Sequence, residues 1–152
     1  MRLDDRLVHG QVLVGWGRAL AVGLIVLVDD RVRESAWEQE LYRMGMPPGI
    51  DLCFASVPEA VAGLPAWTKS DRRTLLITGD VDSLVRLVEA SPSIRRVNIG
   101  GVHQQPDRRQ RLRYVYLSDG EATLLRRLVD RGVEVSAQDV PTAKPVPLAE
   151  LT

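Results

Sequence analysis

The sequence has few of the residues that hold proteins together through covalent or metal bonds. Its 152 residues include one cysteine and two histidines. Because Cys53 is alone, no internal disulfide can form, and its place in the apolar run LCFAS indicates a packed thiol in a reducing cytosol. No group of cysteine, histidine and acidic residues has the spacing of a metal site, so we expect none.

The sequence also has no long apolar run and no excess of charge. No stretch approaches the about 18 apolar residues of a membrane span, and acids occupy the region where a signal peptide is apolar. The 20 basic side chains balance the 20 acidic ones, which argues against binding of nucleic acid or anionic lipid. The motifs GxxxxGK[ST], GxGxxG and GxSxG are absent, so nucleotide binding and acyl transfer lack their characteristic loops. These absences favour a cytoplasmic protein.

A series of short apolar segments is present. Their apolar residues are nearly continuous rather than alternating, as in strands of a parallel sheet that is covered on both faces. Residues 1–3 are predicted to form the stub of a further strand. The segments predicted to be strands are residues 24–28, 51–56, 74–78, 96–100, 114–117 and 133–137.

Helical patterns lie between these segments. The alternation of strands and helices predicts a single α/β domain over residues 1–152, with an open, mostly parallel sheet and helices on both faces. From about residue 141 the chain is proline-rich and is expected to be extended. Three helices are predicted to begin with a capping box, formed by Ser35 with Glu38, Ser56 with Glu59, and Ser118 with Glu121.

The densest group of reactive side chains is DDRLVHGQV, residues 4–12. It follows the strand stub and leads into a predicted helix, and open parallel sheets bind ligands at the carboxyl ends of their strands. The helix N-terminus and Arg6 both favour a phosphate, which Gly10 would let approach the backbone. One of the two acids could bind one imidazole nitrogen of His9 and leave the other as a nucleophile. This pattern fits a phosphoryl-accepting histidine; the alternative is a solvated loop followed by a capped helix.

The longer stretch RLDDRLVHGQV resembles the signature of the IIB components of the mannose–fructose–sorbose family of the sugar phosphotransferase system. The similarity continues through IVLVDD, PPGID, VDSLVRLVEASPSIRRVNIGG and LVDRGVEVSAQDVP, and it covers nearly the whole chain in order. The family fold, an open and mostly parallel α/β sheet, agrees with the fold inferred from the residues. Three features depart from the family pattern. Only residues 1–3 precede the motif, so either the numbered chain starts late or the first strand is short. The loop after VNIGG and the loop around TGDVDS also differ from those of the family.

The resemblance implies that His9 takes a phosphoryl group on Nδ1 from a IIA protein. It would pass the group to a sugar held by the membrane components IIC and IID, with no metal or organic cofactor. Arg6 matches the family's phosphate-binding arginine, and Asp4 matches the acid of the active loop. Peripheral association with IIC and IID is expected, and a homo-oligomer is possible. Other motif positions expected to contact the phosphate are Arg2, Gly10 and Gln11.

Two other functions are compatible with the same residues. A phosphorylation-dependent regulatory module of an incomplete phosphotransferase system would use the His9 chemistry with a protein partner in place of the sugar. A nucleotide-binding α/β protein would show a saturable thermal shift with nucleotides and no labelled histidine. Neighbouring genes for membrane components would favour transport.

The expected topology makes further predictions about the site. If the first and fourth strands flank the point where strand order reverses, the loop at Thr78 lies beside the His9 loop. Thr78 could then donate its hydroxyl to the phosphate, and Asp80 would cap the following helix; the alternative is that both residues serve only as caps. We expect His9 to be exposed where its loop joins the helix. His103 is expected to be a surface or partner-contact residue rather than a second acceptor.

Overall fold

The computed structural model describes residues 1–151, which form one large sheet with helices against it and one small ribbon. The strands are β1 Arg2–Leu3, β2 Leu24–Val28, β3 Asp51–Ala55, β4 Thr74–Thr78, β5 Arg96–Ile99, β6 Arg109–Leu112, β7 Val115–Leu117, β8 Glu134–Ala137 and β9 Val146–Pro147. The helices are a π-helix Gln11–Gly17, α1 Asp30–Glu34, α2 Ala36–Met44, α3 Val57–Lys69, α4 Val81–Glu89, α5 Asp119–Asp130 and a 3₁₀ turn Leu148–Glu150.

The large sheet has the strand order β3-β2-β4-β1-β5-β8-β9. Its neighbouring strands run parallel except for β8 and β9, which are antiparallel. The predicted open, mostly parallel α/β sheet with helices on both faces is therefore confirmed. Within residues 1–151, no helix combines the length and apolar character that crossing a membrane would require.

Strand alternation assigns the side chains to two covered faces. On one face, Leu3 and Ile99 pack with the apolar sides of α4 and α5. On the other, Ile25 and Ile77 pack with the π-helix and α1. Because successive strand residues point to opposite faces, Arg2 lies on the face of the π-helix.

The predicted strand stub at the start of the chain is confirmed, and it lies in the middle of the sheet. β1 has only two residues, but it is bonded to β4 on one side and β5 on the other, with Leu3 level with Thr78 and Ile99. The chain that leaves β1 therefore emerges between the carboxyl ends of two neighbouring strands.

The strand predicted over residues 114–117 exists as β7, but it does not join the large sheet. It pairs antiparallel with β6 in a separate ribbon, and a single bridge from Val115 to Val102 links the ribbon to the segment after β5. The sequence did not predict β6, because its residues RQRL carry no apolar pattern. The ribbon therefore follows from tertiary pairing rather than from a hydrophobic signal.

Two of the three predicted capping boxes form, and one prediction is wrong. The hydroxyls of Ser56 and Ser118 each accept from the backbone N–H three residues later, and the glutamate at that position accepts from the backbone N–H of the serine. Ser35 makes no side-chain cap, because its ψ of 94° differs from the values of 167° and 162° at the other two serines. Asp29 instead caps the preceding helix α1, which the sequence did not predict.

The proline-rich tail is more ordered than the expected extended segment. Val146 and Pro147 add the antiparallel strand β9 to the sheet edge. Leu148 and Leu151 are then buried in the core beside α5 and β8. Val146 and the two leucines that follow Pro147 explain the difference, since all three pack in or against the core.

Candidate active site

The candidate site lies where the chain leaves β1, between the ends of β4 and β5. The Asp4 N–H donates to the Thr78 carbonyl at 2.9 Å, and the Asp5 N–H donates to the Gly101 carbonyl at 2.9 Å. The predicted neighbourhood of the Thr78 and His9 loops is confirmed. Asp80 caps α4 by accepting from the Ser83 N–H at 2.7 Å, which also confirms that prediction.

Asp4 is the centre of the site, and its side chain is fully buried. Its Oδ2 accepts from Arg2 Nη2 at 2.9 Å and from the Gly101 N–H at 3.3 Å. Its Oδ1 accepts from the Arg6 N–H at 3.3 Å and lies 3.1 Å from His9 Nε2. Because four groups converge on it, the carboxylate is fixed in place, and the imidazole that it holds is fixed as well.

His9 sits where the loop joins the helix, as predicted, but the expected exposure is only partial: its side chain is 17% exposed, because the ring lies against the buried Asp4 carboxylate. Because a carboxylate accepts hydrogen bonds, the contact with Asp4 places the ring proton on Nε2 when the imidazole is neutral. Nδ1 then keeps its lone pair and has no hydrogen-bond partner within residues 1–151. The geometry leaves this nitrogen available as a nucleophile.

Arg6 provides positive charge at the surface of the same loop. Its side chain is 45% exposed, and its Nε lies 3.9 Å from Asp4 Oδ1. Its Nη2 donates to Gln11 Oε1 at 2.6 Å. The Gln11 side chain therefore orients the guanidinium and leaves its remaining N–H groups for an anion.

The structure places Arg2 behind Asp4 rather than at the surface. Its guanidinium donates to Asp4, to Asn98 Oδ1 and to the Gln138 carbonyl, and it stacks 4.8 Å from the Trp16 ring centre. Burial lowers the pKa of Arg2 below its ordinary value, and the neighbouring Asp4 carboxylate opposes that shift. With these contacts, Arg2 supports the carboxylate and does not reach a phosphate at the surface.

Gly10 and Thr78 differ in how well they are placed. Gly10 has open space around it: a Cβ added there would meet no atom within 4 Å. The Thr78 hydroxyl is buried and has no partner within residues 1–151. Thr78 lies level with Leu3 in the sheet, so its side chain shares the face of Leu3, opposite to that of Arg2. The expected hydroxyl contact with phosphate has no support in this geometry.

Several residues of the site were not predicted as such. Gly100 must lack a side chain, because a Cβ there would come within 2.5 Å of the Asp4 carboxylate. Asp5 binds His103, which is exposed at the surface as predicted. The sequence signal for this region was the double glycine of NIGG. Within residues 1–151, no three histidine, cysteine or acidic residues form a cluster suited to a metal ion.

Comparison with known proteins identifies the family of the chain. Residues 1–152 match the family model described as the PTS system sorbose subfamily IIB component. The N-acetylgalactosamine-specific phosphotransferase enzyme IIB component 1 of Escherichia coli is 33% identical over 143 residues, which cover 92% of this chain and 89% of that protein. The PTS system sorbose-specific EIIB component of Klebsiella pneumoniae is 27% identical over 139 residues, covering 91% and 85%.

Solved structures show the same fold. The IIBSor domain of the sorbose permease from Klebsiella pneumoniae has a TM-score of 0.88 at 27% identity, covering 98% of this chain and 92% of that one. The N-acetylgalactosamine-specific IIB component 1 of Escherichia coli has a TM-score of 0.86 at 30% identity, covering 95% of each chain. The chain therefore belongs to the sorbose-subfamily IIB components of the sugar phosphotransferase system, which are phosphotransferases.

Proposed function

We propose that this chain is a phosphocarrier in which His9 Nδ1 accepts a phosphoryl group from a IIA protein. His9 then transfers the group to the hydroxyl of a sugar held by the membrane components IIC and IID. The observation that carries the proposal is the 3.1 Å contact between His9 Nε2 and the buried Asp4, which leaves Nδ1 free beside an exposed arginine. The protein would act in the cytoplasm at the surface of those membrane components.

The proposed reaction has two displacement steps at phosphorus. In the first, Nδ1 attacks, the bond between phosphorus and the IIA protein breaks, and the donor atom recovers its electron pair. In the second, the sugar oxygen attacks, the N–P bond to His9 breaks with its electron pair returning to Nδ1, and the hydroxyl proton passes to solvent water. Such reactions depend on positioning and charge neutralisation more than on covalent machinery.

Each residue of the site has a distinct role in the proposal. Asp4 holds the imidazole through Nε2 in both steps, so that Nδ1 is the nitrogen that gains and loses phosphorus. Arg6 neutralises the phosphoryl oxygens, and Gln11 holds Arg6. The open space at Gly10 would let the same oxygens approach the backbone, where the neighbouring Gln11 N–H would donate to them. Arg2 keeps Asp4 in place from behind.

Relatives in this family carry the names of different sugars. The chain is similar to components named for N-acetylgalactosamine, fructose, mannose and sorbose. We therefore propose that the acceptor is a hydroxyl group of a sugar of the kind named in these relatives. Recognition of the particular sugar would belong to the membrane components that hold it.

The test is transfer of label from radioactive phosphoenolpyruvate through the general phosphotransferase proteins and a cognate IIA protein. We expect acid-labile phosphate on the His9 peptide and none in His9→Ala. The matched control is His103→Asn, which removes the other histidine of the sequence and should reach the same final stoichiometry. Label retained by His9→Ala, or no label on a wild-type protein given active phospho-IIA, would contradict the proposal.

A further inference from the structure

A second acid–imidazole pair lies directly beside the first. Asp5 Oδ1 is 2.6 Å from His103 Nδ1, and Asp5 Oδ2 accepts from the His103 backbone N–H at 2.6 Å. Both oxygens of one carboxylate thus bind one residue of the loop that follows β5. We call this arrangement the Asp5–His103 clasp. The His103 side chain is 62% exposed, whereas that of Asp5 is 19% exposed.

A buried arginine supports the clasp from behind. Arg108 is 6% exposed, forms three hydrogen bonds with the Glu121 carboxylate and donates to the His103 carbonyl at 3.1 Å. Burial raises the pKa of Glu121, but Arg108 and the backbone at Ser118 outweigh that effect, so the pKa lies below its ordinary value. The loop 103–108 is therefore tied to the first turn of α5.

The clasp is joined to the Asp4–His9 contact through one glycine. Gly101 donates its N–H to Asp4 Oδ2 and accepts from the Asp5 N–H. The turn that follows β1 is held by contacts with neighbouring elements, because β1 itself has only two residues and Leu7 has a φ of 55°, a strained value for a side chain of this type. Holding Asp5 therefore also holds the turn that carries Asp4 and His9.

We propose that Asp5 is a positioning residue for phosphoryl transfer at His9, and that His103 keeps it in place together with Arg108, whose Nη1 lies 4.0 Å from Asp5 Oδ2. This inference rests on the proposed function of His9. Neither Asp5 nor His103 contacts His9, so their effect passes through Asp4 and the loop. A displacement of about 1 Å at a reacting group can cost on the order of 100-fold in rate, so partial loss of the clasp should cost roughly tenfold.

The test compares four variants. Asp5→Asn leaves one acceptor oxygen for two donors. His103→Ala removes the ring and keeps the backbone contact. His103→Asn offers an amide N–H near the position of Nδ1 and should restore the clasp. The matched control is Asp107→Asn, an exposed acid in the same loop for which no contact to the clasp is found.

Two phosphoryl donors and one spectroscopic measurement distinguish an effect on the position of His9 from an effect on binding of the IIA protein. Single-turnover labelling of the His9 peptide is measured with increasing phospho-IIA and, separately, with phosphoramidate, a small donor that needs no docking surface. NMR of the imidazole nitrogens reports the His9 tautomer without any donor. Thermal unfolding shows that each variant is folded.

The proposal predicts that Asp5→Asn and His103→Ala lower the maximal rate about tenfold with both donors. His103→Asn should recover most of it, and the His9 signals should show mixed tautomers in the two slow variants only. A loss confined to phospho-IIA, with a raised half-saturating concentration, would make His103 a partner contact and overturn the proposal. The proposal would also be overturned if Asp5→Asn and His103→Ala showed the same rates and His9 tautomers as Asp107→Asn. If the wild type takes no label at His9, the proposed function fails, while the tautomer measurement still decides whether the clasp positions the ring.

Discussion

Two adjacent acids in this chain bind two different histidines. The Asp4 carboxylate is buried and holds His9 from within the molecule, whereas Asp5 holds His103 near the surface. Their roles differ because the chain turns immediately after Asp4, which separates the directions of the two side chains. A substitution of Asp4 therefore tests the His9 ring that would react, whereas a substitution of Asp5 tests the loop that supports it.

Arg6 is the residue on which charge neutralisation depends in the proposed reaction. We predict that Arg6→Ala folds normally and slows labelling from phospho-IIA by one to three orders of magnitude, near the ~10²–10³ scale known for loss of one stabilising donor. Arg6→Lys should recover only part of the rate, because an ammonium lacks the planar fork that holds two phosphoryl oxygens. The measurement is the single-turnover rate of His9 labelling.

A matched control for this prediction is Arg18→Ala, an exposed arginine at the far end of the π-helix. It removes the same charge without touching the site and should label at the wild-type rate. Circular dichroism checks the fold of each variant. An Arg6→Ala protein as fast as Arg18→Ala would remove Arg6 from the mechanism.

The sequence predicted part of the site and missed part of it for a physical reason. His9, Asp4 and Arg6 lie in one short loop, so their spacing alone brings them together. The predicted phosphate contacts of Arg2 and Thr78 depend on which face of the sheet a side chain takes, and this required the strand register. The Asp5–His103 pair spans 98 positions, so nothing local in the sequence could indicate it.

Among the elements, cap geometry determined which capping-box predictions succeeded. The pattern of serine followed three residues later by glutamate occurs at Ser35, Ser56 and Ser118, but it forms a reciprocal cap at only two of them. At Ser35 the residue must end one helix and begin the next, and its backbone is turned away from the required ψ. A sequence pattern shows the cap residues but not this conflict.

This difference predicts unequal effects of the same substitution. Ser56→Ala removes a hydroxyl that accepts from the Glu59 N–H at 3.3 Å and should lower the free energy of unfolding by about 1 kcal/mol. Ser35→Ala removes no cap and should change it by less than about 0.5 kcal/mol. Urea unfolding of both variants makes the comparison, and equal losses would show that the Ser35 hydroxyl is also a cap.

For the molecule as a whole, the alternation of strands and helices was sufficient to predict the fold class. The adjacency of β1 and β4 also followed, because ligand sites of such sheets lie where strand order reverses. The polar strand β6 and the packed tail did not follow, since one has no apolar pattern and the other depends on pairing with β8. Long-range pairing therefore limited what the sequence could predict.

Arg2 connects more parts of the molecule than any other residue of the site described above. From β1 it contacts Asp4 in the active loop, Asn98 on β5, the Gln138 carbonyl after β8 and the Trp16 ring of the π-helix. Its ion pair with Asp4 is buried on both sides. Removing one partner of such a pair leaves an uncompensated charge in the interior, which is costly.

We therefore predict that Arg2→Met lowers the free energy of unfolding by about 3–5 kcal/mol, as measured by urea denaturation. Removing the Asp4 charge as well, in Arg2→Met/Asp4→Asn, should recover at least about 1 kcal/mol of that loss, because no buried carboxylate is then left without its closest cation. Asp4→Asn alone completes the cycle and leaves the guanidinium unpaired. A double variant that is less stable than Arg2→Met, or a loss below about 1 kcal/mol for Arg2→Met, would show that the pair does not hold these elements together. Neither Arg2→Met variant should label His9 at the wild-type rate, since the stability of this pair and the position of the imidazole depend on the same carboxylate.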